Sequence, residues 1–370
     1  MDIKVLDKDF NLLATLDGYA SFQGERSLWE IGSCELHIGL TRQGVNKLIP
    51  GNLLTLSPKR TWIITRILPS EDRALGIVVS GKELKNILKQ RLVVPDIKDS
   101  THHFGYDRYP APQDPDAAVE TIMKHYVNKH AVNPSDSKRK LPRLVIGIDR
   151  SRGLTTRWSE RFKPVTDTLK DIGEYSGIGY TVYLDYENKQ FVFDVIPERN
   201  QIQGSDNPIV FSSEFNNVSN VEYEYDVTDD VTVAYAGGTG EDENRLIQQV
   251  ARTAEELNLT GYNRKETWID ATNAQTADEL VYEARHQLSQ HEKKETLTCS
   301  ALPNKSFEYL INWDIGSIVT IESKRLGISQ NQKITAVKEI YERGKIEVIP
   351  TFGKRNSNII DEIRKSEVIR

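Results

Sequence analysis

Residues 34–60 of this chain align with residues 299–325 without a gap, and this self-similarity limits what the chain can fold into more than any other feature. Cys34 falls on Cys299, Gly51 on Gly316, Thr55 on Thr320 and Lys59-Arg60 on Lys324-Arg325, so GNLLTLSPKR is matched by GSIVTIESKR. After five extra residues in the later copy, 64–79 matches 334–349: Ile64-Thr65 meets Ile334-Thr335, Arg73 meets Arg343 and Val78 meets Val348. Leu53, Leu54 and Leu56 face Ile318, Val319 and Ile321. Strand phase is kept throughout, and a slip of one residue would turn every side chain to the other face. Self-similarity of this kind marks a repeated structural unit. We read two copies of one small β-domain, the first N-terminal, the second split between strands near 208–236 and a remainder after 294. The alternative is that two unrelated β-hairpin domains share a common strand–turn grammar.

Around these copies the pattern changes. Residues 1–95 read as short strands: IKVLD, FNLLATL, NLLTLS, TWIITRIL, GIVVSG, and SCELHIGL, where Cys34, Leu36, Ile38 and Leu40 alternate with polar or small residues. They are expected to form an N-terminal β-barrel, with KELKNILKQ as one short helix. Residues 96–205 are expected to form an α+β insert. A long polar loop there precedes a helix whose apolar face is Val119, Ile122, Met123, Tyr126 and Val127. RLVIGI follows as a strand, then a helix with Val165, Leu169 and Ile172 inward and Gly177 as its stop, then a hairpin of YTVYLD and QFVFDV. Residues 206–240 and 294–353 would make the second barrel and 241–293 a small α/β insert. There RLIQQVARTAEEL is ambiguous between strand and helix, and Thr276 with Glu279 opens a helix as a capping box. KITAVKEIY and KIEVIPTF straddle a turn at ERGK, and 354–370 is a tail. The expected class is α+β, mainly β.

The sequence shows no catalytic constellation. AYAGGTGEDENR runs from a strand into a glycine-rich turn, as phosphate-binding loops do, but Gly240 is followed by Glu241, Asp242 and Glu243. A Walker loop needs Lys and Ser or Thr at that place, and the dinucleotide fingerprint needs glycine where Glu243 stands. Three carboxylates would repel phosphates, so the stretch is read as a flexible strand exit. His125 and His130, like His286 and His291, are five apart, whereas ligands on one helix face stand four apart. His102-His103 lies in a polar loop. Cys34 and Cys299 sit mid-strand on apolar faces and are read as core. No G-x-S-x-G elbow occurs. Glu71-Asp72 and Asp229-Asp230 are read as solvated turn charge, and Trp29, Trp62, Trp158, Trp268 and Trp313 as core or interface anchors. No residue is assigned a catalytic, cofactor-binding or metal-binding role, and no cofactor is expected.

The 370 residues carry 48 basic and 54 acidic side chains, a net charge of −6, with 38% hydrophobic residues. This fits a globular protein with room for more than one domain and argues against binding nucleic acid by neutralising phosphates. No apolar run is long enough for a membrane helix, and MDIKVLDKDF has no signal-peptide pattern. Two cysteines are too few for a disulfide framework.

Several stretches together resemble the tail-hub proteins of long-tailed bacteriophages and prophages, a module of siphophage tail-associated proteins related to the baseplate hub of contractile tails. They are GIVVSGKELKNILKQRLVV, AVETIMKHYVNKHAVNPSDSKRKLPRLVIG, RFKPVTDTLKDIGEYSGIGYTVYLD, NPIVFSSEFNNVSNVEY, VAYAGGTGEDENR and IGSIVTIES with ITAVKEIYERGKIEVIPTFG. The resemblance implies a non-enzymatic virion component at the tail tip, assembled in the bacterial host cytoplasm and serving host-cell attachment. It implies a homotrimer in which each chain gives two similar β-barrels, so that three chains present six like faces to a sixfold tube. Implied partners are a distal tail protein ring, the tail tube or tape measure protein, and separate tip or receptor-binding proteins. The channel would be closed or gated by this hub, and the net charge of −6 leads us to expect a neutral or acidic wall. The chain ends 17 residues after Gly353, so a lysin or adhesin is expected on another protein. A β-rich cell-wall or glycan-processing enzyme or adhesin is the alternative. The paired Lys59-Arg60 and Lys324-Arg325 are read as solvated turn charge away from the bore.

Overall fold

Alternating side chains set the strands of the N-terminal region. A computed structural model describes residues 1–69, 76–97, 104–272, 274–302, 307–342 and 345–353. Its strands are β1 (Ile3–Leu6), β2 (Leu12–Leu16), β3 (Ser21–Ser27), β4 (Ser33–Ile38), β5 (Leu53–Ser57), β6 (Arg60–Pro69) and β7 (Ile77–Glu83). In β4, Cys34, Leu36 and Ile38 are buried while Glu35 is exposed, the alternation a half-solvated sheet requires. Neighbouring strands run antiparallel in the order β3-β4-β7-β6-β5-β1-β2. Phe22, Leu36, Leu54, Trp62, Ile64 and Val79 share one buried cluster.

KELKNILKQ forms a 3-10 helix, Leu84–Gln90, and the two expected helices form as α1 (Val119–Val127) and α2 (Val165–Ser176). Each lays its apolar stripe on the hairpin β8 (Gly179–Asp185) and β9 (Gln190–Ile196), against which Leu144–Ile146 pairs in parallel. Gly177 ends α2 at φ 80°, a left-handed cap that glycine adopts without steric cost.

Two late strands are β10 (Ser317–Ser323) and β11 (Ile328–Glu342). The later repeat has the strands Lys294–Ala301, β10, β11 and Lys345–Gly353. Their sheet order, Lys294–Ala301, Lys345–Gly353, β11, β10, follows that of β4, β7, β6 and β5. Cys34 and Cys299 are both buried and both lie mid-strand.

Among the described residues no sheet closes into the barrel that the sequence suggests. Closure of the first repeat would need β2 to pair with β3, but the free edge of β3 takes Ala336–Glu342 of β11 instead. The result is an open, largely antiparallel sheet in which Arg199–Gln201 and Val210–Ser212 pair in parallel with β10, with α+β insertions, mainly β in content.

Contacts divide the chain into two units, Met1–Val221 with Cys299–Pro350, and Glu222–Thr298 with the C-terminal residues. In the second, Val233–Gly237 is the central strand, antiparallel to Ile247–Ala251 and parallel to Glu266–Asp270. Ala234, Ala236, Val250 and Ile269 pack on Leu280, Ala284 and Leu288 of the helix Ala277–Ser289. Thr276 caps that helix, its Oγ1 accepting from the Glu279 N–H at 3.2 Å, while the Glu279 carboxylate accepts from the Gln275 N–H at 2.8 Å. The ambiguous RLIQQVARTAEEL resolves into the strand Ile247–Ala251 and a one-turn helix Ala254–Leu257 capped by Thr253. The residues Arg343 and Gly344 of the ERGK turn, Glu71-Asp72, His102-His103 and the tail 354–370 lie outside the described residues.

Candidate functional site

The glycine-rich stretch is a hairpin connection and not a phosphate cradle. The Gly238 N–H donates to the Leu246 carbonyl at 2.7 Å and the Thr239 N–H to the Ala274 carbonyl at 3.0 Å. These amides are therefore engaged within the fold and do not point at a ligand.

The polar groups that converge most densely lie where β11 meets β3. Arg60, the first residue of β6, is 5% exposed and reaches Glu339 of β11, which is fully buried. Its Nε donates to Glu339 Oε1 at 3.0 Å, and its Nη2 donates to Oε2 and to the Tyr341 hydroxyl. Tyr341 donates to Glu339 Oε2 at 2.6 Å and Tyr309 to Oε1 at 3.2 Å. The chain of bonds continues from the Tyr309 hydroxyl, which accepts from Arg26 Nη1 at 3.0 Å, to Asp314, which accepts from the same guanidinium at 2.8 and 3.3 Å. Two cations and two carboxylates thus cancel within a buried seam. Burial opposes the charge on Arg60, but Glu339 outweighs it and its pKa is raised. Arg26 behaves alike, with Tyr309 and Asp314 outweighing burial. Burial and the Glu339 carboxylate push the Tyr341 phenol up, so it stays a neutral donor.

Arg60 corrects the expectation that both Lys-Arg pairs are solvated. Lys59, Lys324 and Arg325 are exposed, and Lys324 pairs with Glu214 at the surface. Arg60 instead shares the inward register of β6 with Trp62 and Ile64, which carries its head into the seam. Sequence reasoning misses the partner because KITAVKEIY reads as one more strand with no motif at Glu339. Glu339 stands two residues from both Val337 and Tyr341, in the buried register, and a charge in that register is the signal that could have found it.

Other polar clusters hold the scaffold. Asp107 accepts from Lys129 at 2.9 Å and pairs with His130, which holds its carboxyl low against the raising effect of burial. His125 stacks on Tyr109 with ring centroids 3.8 Å apart, and burial pushes its pKa down to about 4. Glu120 sits between Lys124 and Arg152, which overcome burial and bring it down to about 2. Glu83 accepts from the Gly32 N–H at 3.1 Å and lies 3.6 Å from Lys85, whose charge burial disfavours. Burial pushes both cysteine thiols up to about 12, far from a reactive thiolate. Trp29, Trp62, Trp158 and Trp313 are core, whereas Trp268 is half exposed beside Tyr235 on the small sheet. Among the described residues no group of three or more His, Cys, Asp or Glu is placed to hold a metal. No helix among them is long and apolar enough to cross a membrane. The arrangement joins strands within the fold.

Residues 2–354 match the sequence profile described as Siphovirus ReqiPepy6 Gp37-like protein. No curated protein matches the sequence. The fold is similar to prophage tail protein gp18 from Listeria monocytogenes EGD-e, at TM-score 0.55 and 13% identity over 100% of this chain and 99% of that one. It is similar to the 43 kDa tail protein of prophage MuSo2 from Shewanella oneidensis, at TM-score 0.56 and 13% identity over 95% and 98%. A tail protein from Neisseria meningitidis MC58 gives TM-score 0.56 and 12% identity over 95% and 96%.

Proposed function

The chain belongs to the Siphovirus ReqiPepy6 Gp37-like family of structural phage tail proteins, and from that premise we propose that it is a non-enzymatic, trimeric hub at the tail tip. The hub joins the distal tail ring and tube, or the tape measure protein, to separate tip or receptor-binding proteins. It also closes or gates the channel. The observation that carries this reading is the shared sheet order of the two repeats, β4-β7-β6-β5 and its later counterpart. A trimer of such chains offers six like surfaces, which is what a sixfold tube needs from a threefold plug. Each repeat with its flanking strands is one β-sheet unit of this ring, and 96–205 is carried between them as an insert. A net charge of −6 suits a wall past which DNA must slide, since a basic lining would hold phosphates by counterion release.

Native mass spectrometry of the purified chain tests the reading: a trimer is expected, and a monomer at micromolar concentration overturns it. The glycan-binding alternative draws on the exposed Tyr235–Trp268 pair, since aromatic faces stack on sugars. Clearing of cell walls in a zymogram, or glycan binding lost in Trp268→Ala, would favour it over the hub.

A further inference from the structure

The segment that follows the 3-10 helix Leu84–Gln90 runs antiparallel to the residues that lead into α2. The Val93 N–H donates to the Lys163 carbonyl at 2.8 Å, the Phe162 N–H to the Val93 carbonyl at 2.6 Å and the Val165 N–H to the Arg91 carbonyl at 2.8 Å. Side chains alternate across such a pair, so Val93 is fully buried while Leu92 keeps 43% of its surface. Leu92 bridges to Pro164, two residues from Phe162, which is 49% exposed. Phe104 meets the Phe162 ring edge-on, with centroids 5.7 Å apart, and bridges to Ile97, which is 54% exposed. Exposed apolar clusters rimmed by polar groups mark interaction sites.

Two features set this cluster apart from ordinary surface. Phe162 has a φ of 54°, in the left-handed region that suits glycine and strains a bulky side chain. Glycine would hold that turn freely, yet the position carries a ring that is half in solvent, and strain of this kind gathers at ligand sites. At the Leu92 end stand two arginines, neither of which forms an ion pair with a described carboxylate. Arg91 Nε donates to the Arg139 carbonyl and its Nη1 to the Gln90 carbonyl at 2.9 Å, while Arg139 Nη2 donates to the Leu92 carbonyl. Burial and the Arg91 charge lower the pKa of Arg139, and Asp136 offsets them only in part. Lys138 and Lys140 flank Arg139, and Arg161 precedes Phe162, so the margin is positive in a chain whose net charge is −6.

We propose that Leu92, Ile97, Phe104 and Phe162, with Arg91 and Arg139 at their margin, dock a segment of a partner protein in which aliphatic or aromatic side chains lie beside carboxylates. The apolar side chains of that segment cover the cluster and take it out of water. Its carboxylate sits between two guanidiniums that otherwise repel each other, and each keeps N–H donors after its bonds to carbonyls. Arginine receives a carboxylate through two parallel donors, which fixes orientation as well as strength. Aromatic rings and arginine in one patch are the composition of binding hot spots. A nucleic acid would answer the arginines but leave the apolar cluster wet. None of this depends on the hub reading.

A yeast-displayed library of random peptides, sorted with the labelled full chain, tests the surface. Enriched peptides are expected to carry Asp or Glu beside Leu, Ile, Phe or Trp, and to bind Phe162→Gly about tenfold more weakly. Phe162→Gly also reads the strain: relief at φ 54° offsets the lost contact with Phe104, so the thermal midpoint should stay within about 3 °C. Sorting repeated with Arg139→Glu, whose carboxylate answers Arg91 from within, should return peptides that keep the apolar residues and lose the acidic ones. An empty selection, a basic consensus, or peptides indifferent to both variants overturns the proposal, as does a larger fall in the Phe162→Gly midpoint, which would make the ring part of the core. Phosphatidylglycerol vesicles that bind the chain only when Phe162 is present, or self-association lost in Phe162→Gly, would also overturn it, in favour of a lipid surface or a second copy.

Discussion

Arg60 and Glu339 show what a buried pair does to a sheet seam. Each would be costly to bury alone, and each is tolerated because the other and two tyrosine hydroxyls answer its charge and hydrogen bonds. Arg60→Met alone leaves the Glu339 carboxylate buried without its cation and should cost about 3–5 kcal/mol of stability. Adding Glu339→Gln removes the orphaned charge and keeps one acceptor oxygen, while its amide N–H can donate to the other tyrosine hydroxyl. The double variant should therefore regain more than half of that loss, a strongly non-additive result in urea unfolding. Simple addition of the two single losses would show that the pair is not coupled.

At the scale of the element, the close approach of β3 to β6 depends on a residue with no side chain. Gly24 lies opposite Cys34 on one side and Glu339 on the other. A Cβ there would stand 2.6 Å from the Trp62 ring, which is fully buried and fixed by a 3.0 Å bond from its Nε1 to the Glu25 carbonyl. Gly24→Ala should destabilise the fold by about 1–3 kcal/mol through overpacking. Gly327→Ala is the control: its φ of 67° strains an L-residue, but nothing lies within 4 Å, so its cost stays near about 1 kcal/mol. Thermal unfolding separates the two, and equal losses would mean that Trp62 can give way.

At the scale of the whole molecule, the twin Lys-Arg pairs divide into one structural residue and three solvated ones. Lys59, Lys324 and Arg325 lie on exposed turns, and ion pairs in such places add little. Substituting these three by Ser should leave unfolding and oligomeric state unchanged, measured by native mass spectrometry and heat denaturation. Loss of the oligomer in this variant would show that the turns hold a neighbour.

The sequence alone determined the strands and helices whose period is strong: Cys34, Leu36 and Ile38 in β4, the stripe of α1, and the stop of α2 at Gly177. It also carried the repeat and the resemblance to tail-hub proteins, because both reside in local pattern. It carried the failure of the glycine-rich loop too, since Glu241–Glu243 stand where phosphates would lie. Only the tertiary structure decided the partners of those elements. Periodicity says which face of a strand is buried but not which strand lies beside it, so β3 was free to pair with β11 and leave the expected barrel open. For the same reason Arg60 read as turn charge until Glu339, 279 residues away, met it in the seam. Long-range pairing is set by how many edges and charges can be satisfied at once, and that sum is taken over the whole fold.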